Sequence, residues 1–179
     1  VEGKRWIDEG VDFNAFTYAK YGGLILKQPK GVVYQIFDSK VVDMLEPRYK
    51  TSEPFRSDTL EGLVKQLPLD QKQALRTLQD YNDAAGRGGP FNPAGLDGLH
   101  TEDLHPPKTN WAQKLDTPPY LCWAVTGGIT FTFGGLKINQ NAQVISTGWK
   151  PIEGLYCAGE MVGGLFHYNY ALGTGLMSG

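Results

Sequence analysis

The run Gly154-Leu155-Tyr156-Cys157-Ala158-Gly159-Glu160, followed by Gly163-Gly164 and then Tyr170-Ala171-Leu172-Gly173-Thr174-Gly175-Leu176-Met177, carries the most information in the chain. Leu155–Ala158 reads as a short buried strand. Its Ala-Gly-Glu ending puts a carboxylate at the strand's carboxyl end, where open α/β sheets bind ligands. Glu160 can there accept hydrogen bonds from the hydroxyls of a polyol or ribose. Gly173-Thr174-Gly175 heads a helix whose unpaired N–H groups and positive dipole end suit an anionic or carbonyl acceptor. A strand, a turn and a buried helix with glycine for close packing would give the same pattern, and short glycine patterns do not separate the two readings.

The surrounding composition sharpens the question. The chain has 179 residues, 41% apolar and 20% charged, which suits one soluble globular domain. Its net charge of −2 offers no footprint for nucleic acid and no polybasic patch for a membrane surface. Twelve of the 23 glycines fall from Gly127 to Gly179, a stretch where backbone is expected to come close to a ligand. Cys122 and Cys157 sit in no zinc spacing and cannot build a disulfide framework, so a reduced, cytoplasmic setting is expected. No apolar run approaches a bilayer span, and VEGKRWIDEG lacks the marks of a signal peptide. Both ends look cut, as in a piece of a larger protein.

Outward from the glycine-rich end, Val32–Phe37 reads as a strand ended by Asp38. Leu60, Leu63, Val64 and Leu67 recur at helical spacing before Pro68. Asp70 and Gln73 form a capping-box start for a second helix with Ala74, Leu75, Leu78 and Tyr81 on one face and Gly86 as its stop. Six of the eleven prolines lie between Gly88 and Pro119, a long loop or linker. Ile129–Phe133 alternates as a strand, and Leu136–Ile138 and Ala142–Ile145 read as short strands. A composition shift near residue 126 divides an α+β region from a glycine-rich one.

GLYCAGEMVGGLFHYNYALGTGLMSG resembles the C-terminal flavin segment of fumarate reductase/succinate dehydrogenase-type flavoproteins. GITFTFGGLKIN resembles the strand and Gly-Gly that precede it there, and GKRWIDEG the family's Gly-Lys-Arg-Phe-x-Asp-Glu, with Trp6 for Phe. DGLHTEDLHPPKTNWAQKLDTPPY is most similar to the branch of FAD-dependent tricarballylate dehydrogenases. The resemblance implies an α+β chain: residues 1–125 mostly a substrate cap, and residues 126–179 the C-terminal part of a Rossmann-type FAD-binding domain. The family's N-terminal GxGxxG is absent, so this chain alone is expected to form an incomplete FAD site and to be inactive by itself.

The resemblance also implies roles. Glu160 would bond flavin ribityl or ribose hydroxyls, and backbone near Gly173, Thr174, Gly175 and Leu176 would face the flavin N1/C2=O edge. Gly134, Gly135 and Gly159 would bring backbone against the cofactor. At the places where C4-dicarboxylate reductases of the family clamp carboxylates with a His and an Arg stand Thr130 with Phe131 and Tyr170, which turns the substrate away from fumarate. Tricarballylate-like tricarboxylates are favoured, with ketosteroid- or enone-type substrates as the alternative. A tyrosine at position 170 resembles the ketosteroid dehydrogenase branch, where it serves a carbonyl as proton donor. Aromatic packing is its other reading.

His167 is an acid/base candidate or a buried structural histidine. Lys108 and Arg87 are candidates for pairing an anionic substrate, or solvated cations. His100 and His105 beside Glu102 and Asp103 make a poor metal pattern, and Arg5, Asp8 and Glu9 read as an ion-paired turn. A small-molecule substrate, an unidentified electron acceptor and no metal complete the expectation. A non-catalytic fragment or an isolated cap with a binding role remains the competing reading.

Overall fold

The computed structural model describes residues 2–47, 51–129 and 131–178, and the chain forms two compact units. The first comprises Val1–Phe13 and Gln28–Thr126; the second comprises Asn14–Lys27 and Gly127–Gly179. Residues 14–27, which the sequence groups with the first region, thus pack with the glycine-rich end.

The first unit is a three-stranded antiparallel sheet covered by helices. The central strand β3 (Tyr120–Thr126) pairs on one side with β1 (Val32–Phe37), from Val32 opposite Thr126 to Phe37 opposite Leu121. On the other side it pairs with β2 (Phe55–Ser57). Helix α2 (Leu60–Val64) starts at Thr59, whose side chain accepts the Gly62 N–H at 3.0 Å. The apolar run continues to Leu67 as tight turns, Gln66 N–H to Leu63 O and Leu67 N–H to Val64 O, rather than as further α-helix.

Helix α3 (Gln71–Ala84) is capped by Asp70, which accepts the Gln73 N–H at 2.9 Å. The Gln73 amide turns to Thr77 Oγ1, so only half of the expected box forms. Leu63, Leu67, Tyr120 and Cys122 form one buried cluster, and Val64, Ala74 and Leu78 another. Burial pushes the Cys122 thiol up to about 12, which leaves it inert.

The proline-rich segment is ordered by polar clamps. Asp97 accepts N–H bonds from Leu99, Trp111 and Asn92; although burial opposes ionisation, these bonds hold its carboxyl below the usual range. Arg5 donates to Pro106 O at 2.7 Å and to Glu9 at 2.6 Å, and its guanidinium lies over the Tyr81 ring. Asp8 accepts from Gly10 and Thr109 N–H groups, so this acidic pair has a structural role. Asp38, 2% exposed, accepts from the N–H groups of Lys40, Asp116 and Thr117 and pairs with Lys40 at 2.7 Å.

In the second unit, α1 (Asn14–Ile25) had no clear sequence signal: Gly22-Gly23 and scattered aromatics blur its period. Strands β4 (Gln143–Ile145) and β5 (Pro151–Tyr156) form an irregular hairpin. Leu155 and Tyr156 are exposed where a buried strand was expected, and only Cys157, beyond the strand, is buried. Ile129 and Phe131–Phe133 lie in no strand: Phe131 and Phe133 both pack on Phe166, so ring contacts replace ladder pairing, while Thr130 lies outside the described residues. Leu136 and Ile138 make isolated bridges, to Val162 and Val144. The chain closes with α4 (Thr174–Ser178).

Asp38→Ala is expected to cost about 3 kcal/mol in urea unfolding, because it strands three N–H donors and takes from the Lys40 ammonium one of its two carboxylates, leaving Asp116. Burial works against the Lys40 charge, but hydrogen bonds to Asp116 and Asp38 raise its pKa above the ordinary lysine value. That contribution is complete below the unfolded lysine pKa of about 10.4 and is lost as pH rises through the folded one. Lys40→Met should therefore flatten the alkaline fall in stability that the parent shows.

Candidate functional site

The residues that carry the flavin resemblance meet within the second unit, around two glycines. Leu136 N–H donates to Met161 O at 2.7 Å and Gly163 N–H to Leu136 O at 3.0 Å, which draws segment 133–136 against segment 161–164. A Cβ on Gly163 would stand 2.7 Å from backbone N and O of Gly135, and one on Gly135 would stand 2.6 Å from Gly163 N. Gly135, which the resemblance assigns to cofactor contact, thus packs against Gly163 in chain-to-chain contact. Gly134, Gly164 and Gly173 differ: nothing lies within 4 Å of an added Cβ there, so they leave backbone open to approach.

Glu160 lies beyond the end of β5, on the 3-10 turn Gly159–Met161, which Gly159 opens at φ +73°. Its Oε1 accepts the Thr132 N–H at 3.2 Å, which ties the turn to the segment holding Phe131. The carboxylate is exposed.

Tyr170 is 8% exposed and stacks on Phe131, with ring centres 5.2 Å apart and planes 16° from parallel. Phe166 meets both rings edge-on at 5.3 and 4.9 Å, and Tyr18 of α1 meets Tyr170 at 6.1 Å. The Tyr170 hydroxyl accepts the Gly175 N–H at 2.9 Å, and a Cβ on Gly175 would collide with that hydroxyl and with the Phe131 ring. The aromatic-packing reading of Tyr170 thus has direct geometry behind it. A phenol that accepts one bond still has its own proton to give.

The N–H groups expected to face a flavin edge are engaged inside the segment. Thr174 N–H donates to Ala171 O, Gly175 N–H to Tyr170, and Leu176 N–H to Gly173 O. A five-residue helix entered through such i→i+3 bonds satisfies its first donors locally. The Leu176 side chain is exposed.

His167 is exposed, with its ring centre 4.3 Å from that of Tyr168, which corrects the buried structural reading. Arg87 and Lys108 belong to the first unit. Arg87 is exposed, lies 3.6 Å from Glu102, and bridges its backbone to His100. Burial lowers the Lys108 ammonium pKa, with Arg5 adding to the effect and Glu9, Asp8 and Asp97 opposing it.

Sequence reasoning passed over Phe166, Tyr168 and Asn169. Their signal was the aromatic density of Phe166-His167-Tyr168-Asn169-Tyr170, paired with Phe131-Thr132-Phe133 upstream.

Residues 57–176 match the model of the family described as FAD binding domain, and the chain belongs to that family. Among curated relatives, it is 32% identical to a probable fumarate reductase of Shewanella frigidimarina, over 94% of this chain and 26% of that protein. It is 27% identical to an NADH:acrylate oxidoreductase of Vibrio harveyi, over 98% of this chain and 16% of that protein. The chain therefore spans about a quarter or less of the length of these two relatives. Its structure resembles the open conformation of a flavocytochrome c3 fumarate reductase with TM-score 0.65 and 27% identity, covering 99% of this chain and 29% of that one. The cofactor of the family is FAD, and its members here are oxidoreductases. Among the described residues, no helix is long and apolar enough to cross a membrane.

Gly163→Ala should destabilise the second unit by about 1–3 kcal/mol through overpacking against Gly135 backbone. Gly134→Ala should change little. Hydrogen-exchange protection of the Leu136 amide reads the difference, and equal protection in both variants would contradict the packing role.

Proposed function

We propose that this chain contributes to an FAD-dependent oxidoreductase acting on a CH–CH bond next to a carboxylate or carbonyl. The observation that carries the reading is the exposed Glu160 carboxylate, tied to Thr132 N–H, in the same unit as the open-faced Gly134, Gly164 and Gly173. This donor set fits a flavin: a carboxylate for sugar hydroxyls, side-chain-free backbone for close approach, and exposed Met161, Leu165 and Leu172 for an apolar ring. The two relatives named above are a probable fumarate reductase and an NADH:acrylate oxidoreductase, and fumarate and acrylate are both unsaturated carboxylates.

Bound FAD supplies the hydride chemistry. Glu160 holds the cofactor by accepting bonds from its sugar hydroxyls. Tyr170, its hydroxyl oxygen fixed by Gly175 N–H, donates its proton toward a carbonyl or carboxylate oxygen of the substrate. His167, exposed beside Tyr168, is the second acid/base candidate. In the first unit, which we assign to the substrate cap, Arg87 and Lys108 are the cations for substrate carboxylates, and a tricarballylate-like tricarboxylate is the favoured class. A ketosteroid- or enone-type substrate is the second reading, supported by a tyrosine rather than an arginine at position 170.

In the full-length protein, Glu160→Ala should weaken FAD binding about tenfold, or about 1.4 kcal/mol. Tyr170→Phe should keep FAD and lower turnover by a factor on the order of a hundred. Unchanged flavin affinity would remove Glu160 from the site, and unchanged turnover would remove Tyr170 from the chemistry.

A further inference from the structure

Asn169 is held in a way that no role given above accounts for. Its Nδ2 donates to Phe16 O at 2.8 Å, and its Oδ1 accepts from Lys20 N–H at 3.2 Å. Phe16 O and Lys20 N–H stand four residues apart on α1, the acceptor and donor of a single helical turn. The carboxamide enters that ladder with both ends matched. An aspartate of the same shape would lack the donor, and an alanine would lack both groups.

The surrounding backbone is tied to the same helix. Asn169 N–H donates to His167 O at 2.7 Å, closing a tight turn whose tip, Tyr168, is at φ 57° and 82% exposed. Three residues on, Leu172 N–H donates to Ala15 O at 2.8 Å. Tyr170 lies between these two ties, edge-on to Tyr18 of the helix itself.

We infer that Asn169 is a positioning residue: inserted into the Phe16–Lys20 turn of α1, its amide sets how deep Tyr170 sits and where the Tyr170 hydroxyl meets Gly175. Only the consequence for turnover rests on the proposed flavoprotein reading; the placement is a property of this unit.

The test compares Asn169→Asp and Asn169→Ala with the parent in the full-length, FAD-loaded protein. At about pH 8 the aspartate sets a second oxygen against Phe16 O; on acidification to about pH 5 its protonated carboxyl regains a donor. Near-ultraviolet circular dichroism of the tyrosine cluster should fall in both variants at the higher pH. It should return on acidification in the aspartate variant alone. Relative to the parent at each pH, kcat should fall on the order of tenfold and recover in the same way, with KM within about twofold. The dichroism reads the cluster with or without flavin, so a protein that binds no FAD would refute the proposed function while the titration still answered for Asn169.

A folded aspartate variant with parental dichroism at pH 8, or one whose lost signal does not return at pH 5, would overturn the inference. Should that variant not fold, parental dichroism in Asn169→Ala would overturn it equally.

Discussion

Gly135 and Gly163 lie back to back so closely that neither leaves room for a Cβ, and the second unit is organised around that approach. It lets Leu136 and Gly163 exchange backbone bonds with their opposite segments, which brings residues 131–133 beside the Glu160 turn. Phe131 then reaches Tyr170 and Phe166, and Tyr170 in turn receives the first turn of α4. Side-chain bulk at either glycine would separate the segments before any of these contacts formed. The glycine excess is therefore of two kinds: some glycines let the chain pack on itself, and others leave backbone bare, where the proposed flavin would run.

The first unit solves a different problem. Its sheet and two helices bury an ordinary apolar core, but the loop from Gly88 to Pro119 has little apolar periodicity with which to hold itself. Charged side chains substitute for a core there: Arg5 reaches the carbonyls of Pro106 and Pro107, Asp97 gathers three N–H groups, and Asp38 fastens residues 116–117 to the end of β1. Each is a charge-assisted bond to backbone, the kind that fixes a loop most firmly per contact. Arg5, Asp8 and Glu9, which read in sequence as an ion-paired turn, are taken up in that work.

Periodicity made β1, α3 and its Asp70 cap legible, because amphipathic spacing and capping act within a few residues. α1 was hidden since its partners, Asn169 and Leu172, lie some 150 residues away and its own pattern is interrupted by glycine. Ile129–Phe133 alternates like a strand, yet its phenylalanines answer to Phe166 and Tyr170, so ring packing decided a shape that alternation mispredicted. Of the candidate site, Glu160 and the glycines were readable as a pattern, while the engagement of the Thr174, Gly175 and Leu176 donors and the insertion of Asn169 into α1 follow from tertiary contacts alone.

Glu160 is the residue on which the proposed flavin site depends. A crystal structure of the full-length protein with FAD bound measures it most directly. A Glu160 carboxylate oxygen is expected within about 3 Å of a ribityl or ribose hydroxyl, with the cofactor running past the bare backbone of Gly134, Gly164 and Gly173. A flavin bound away from residues 159–175, with Glu160 turned to solvent, would contradict it.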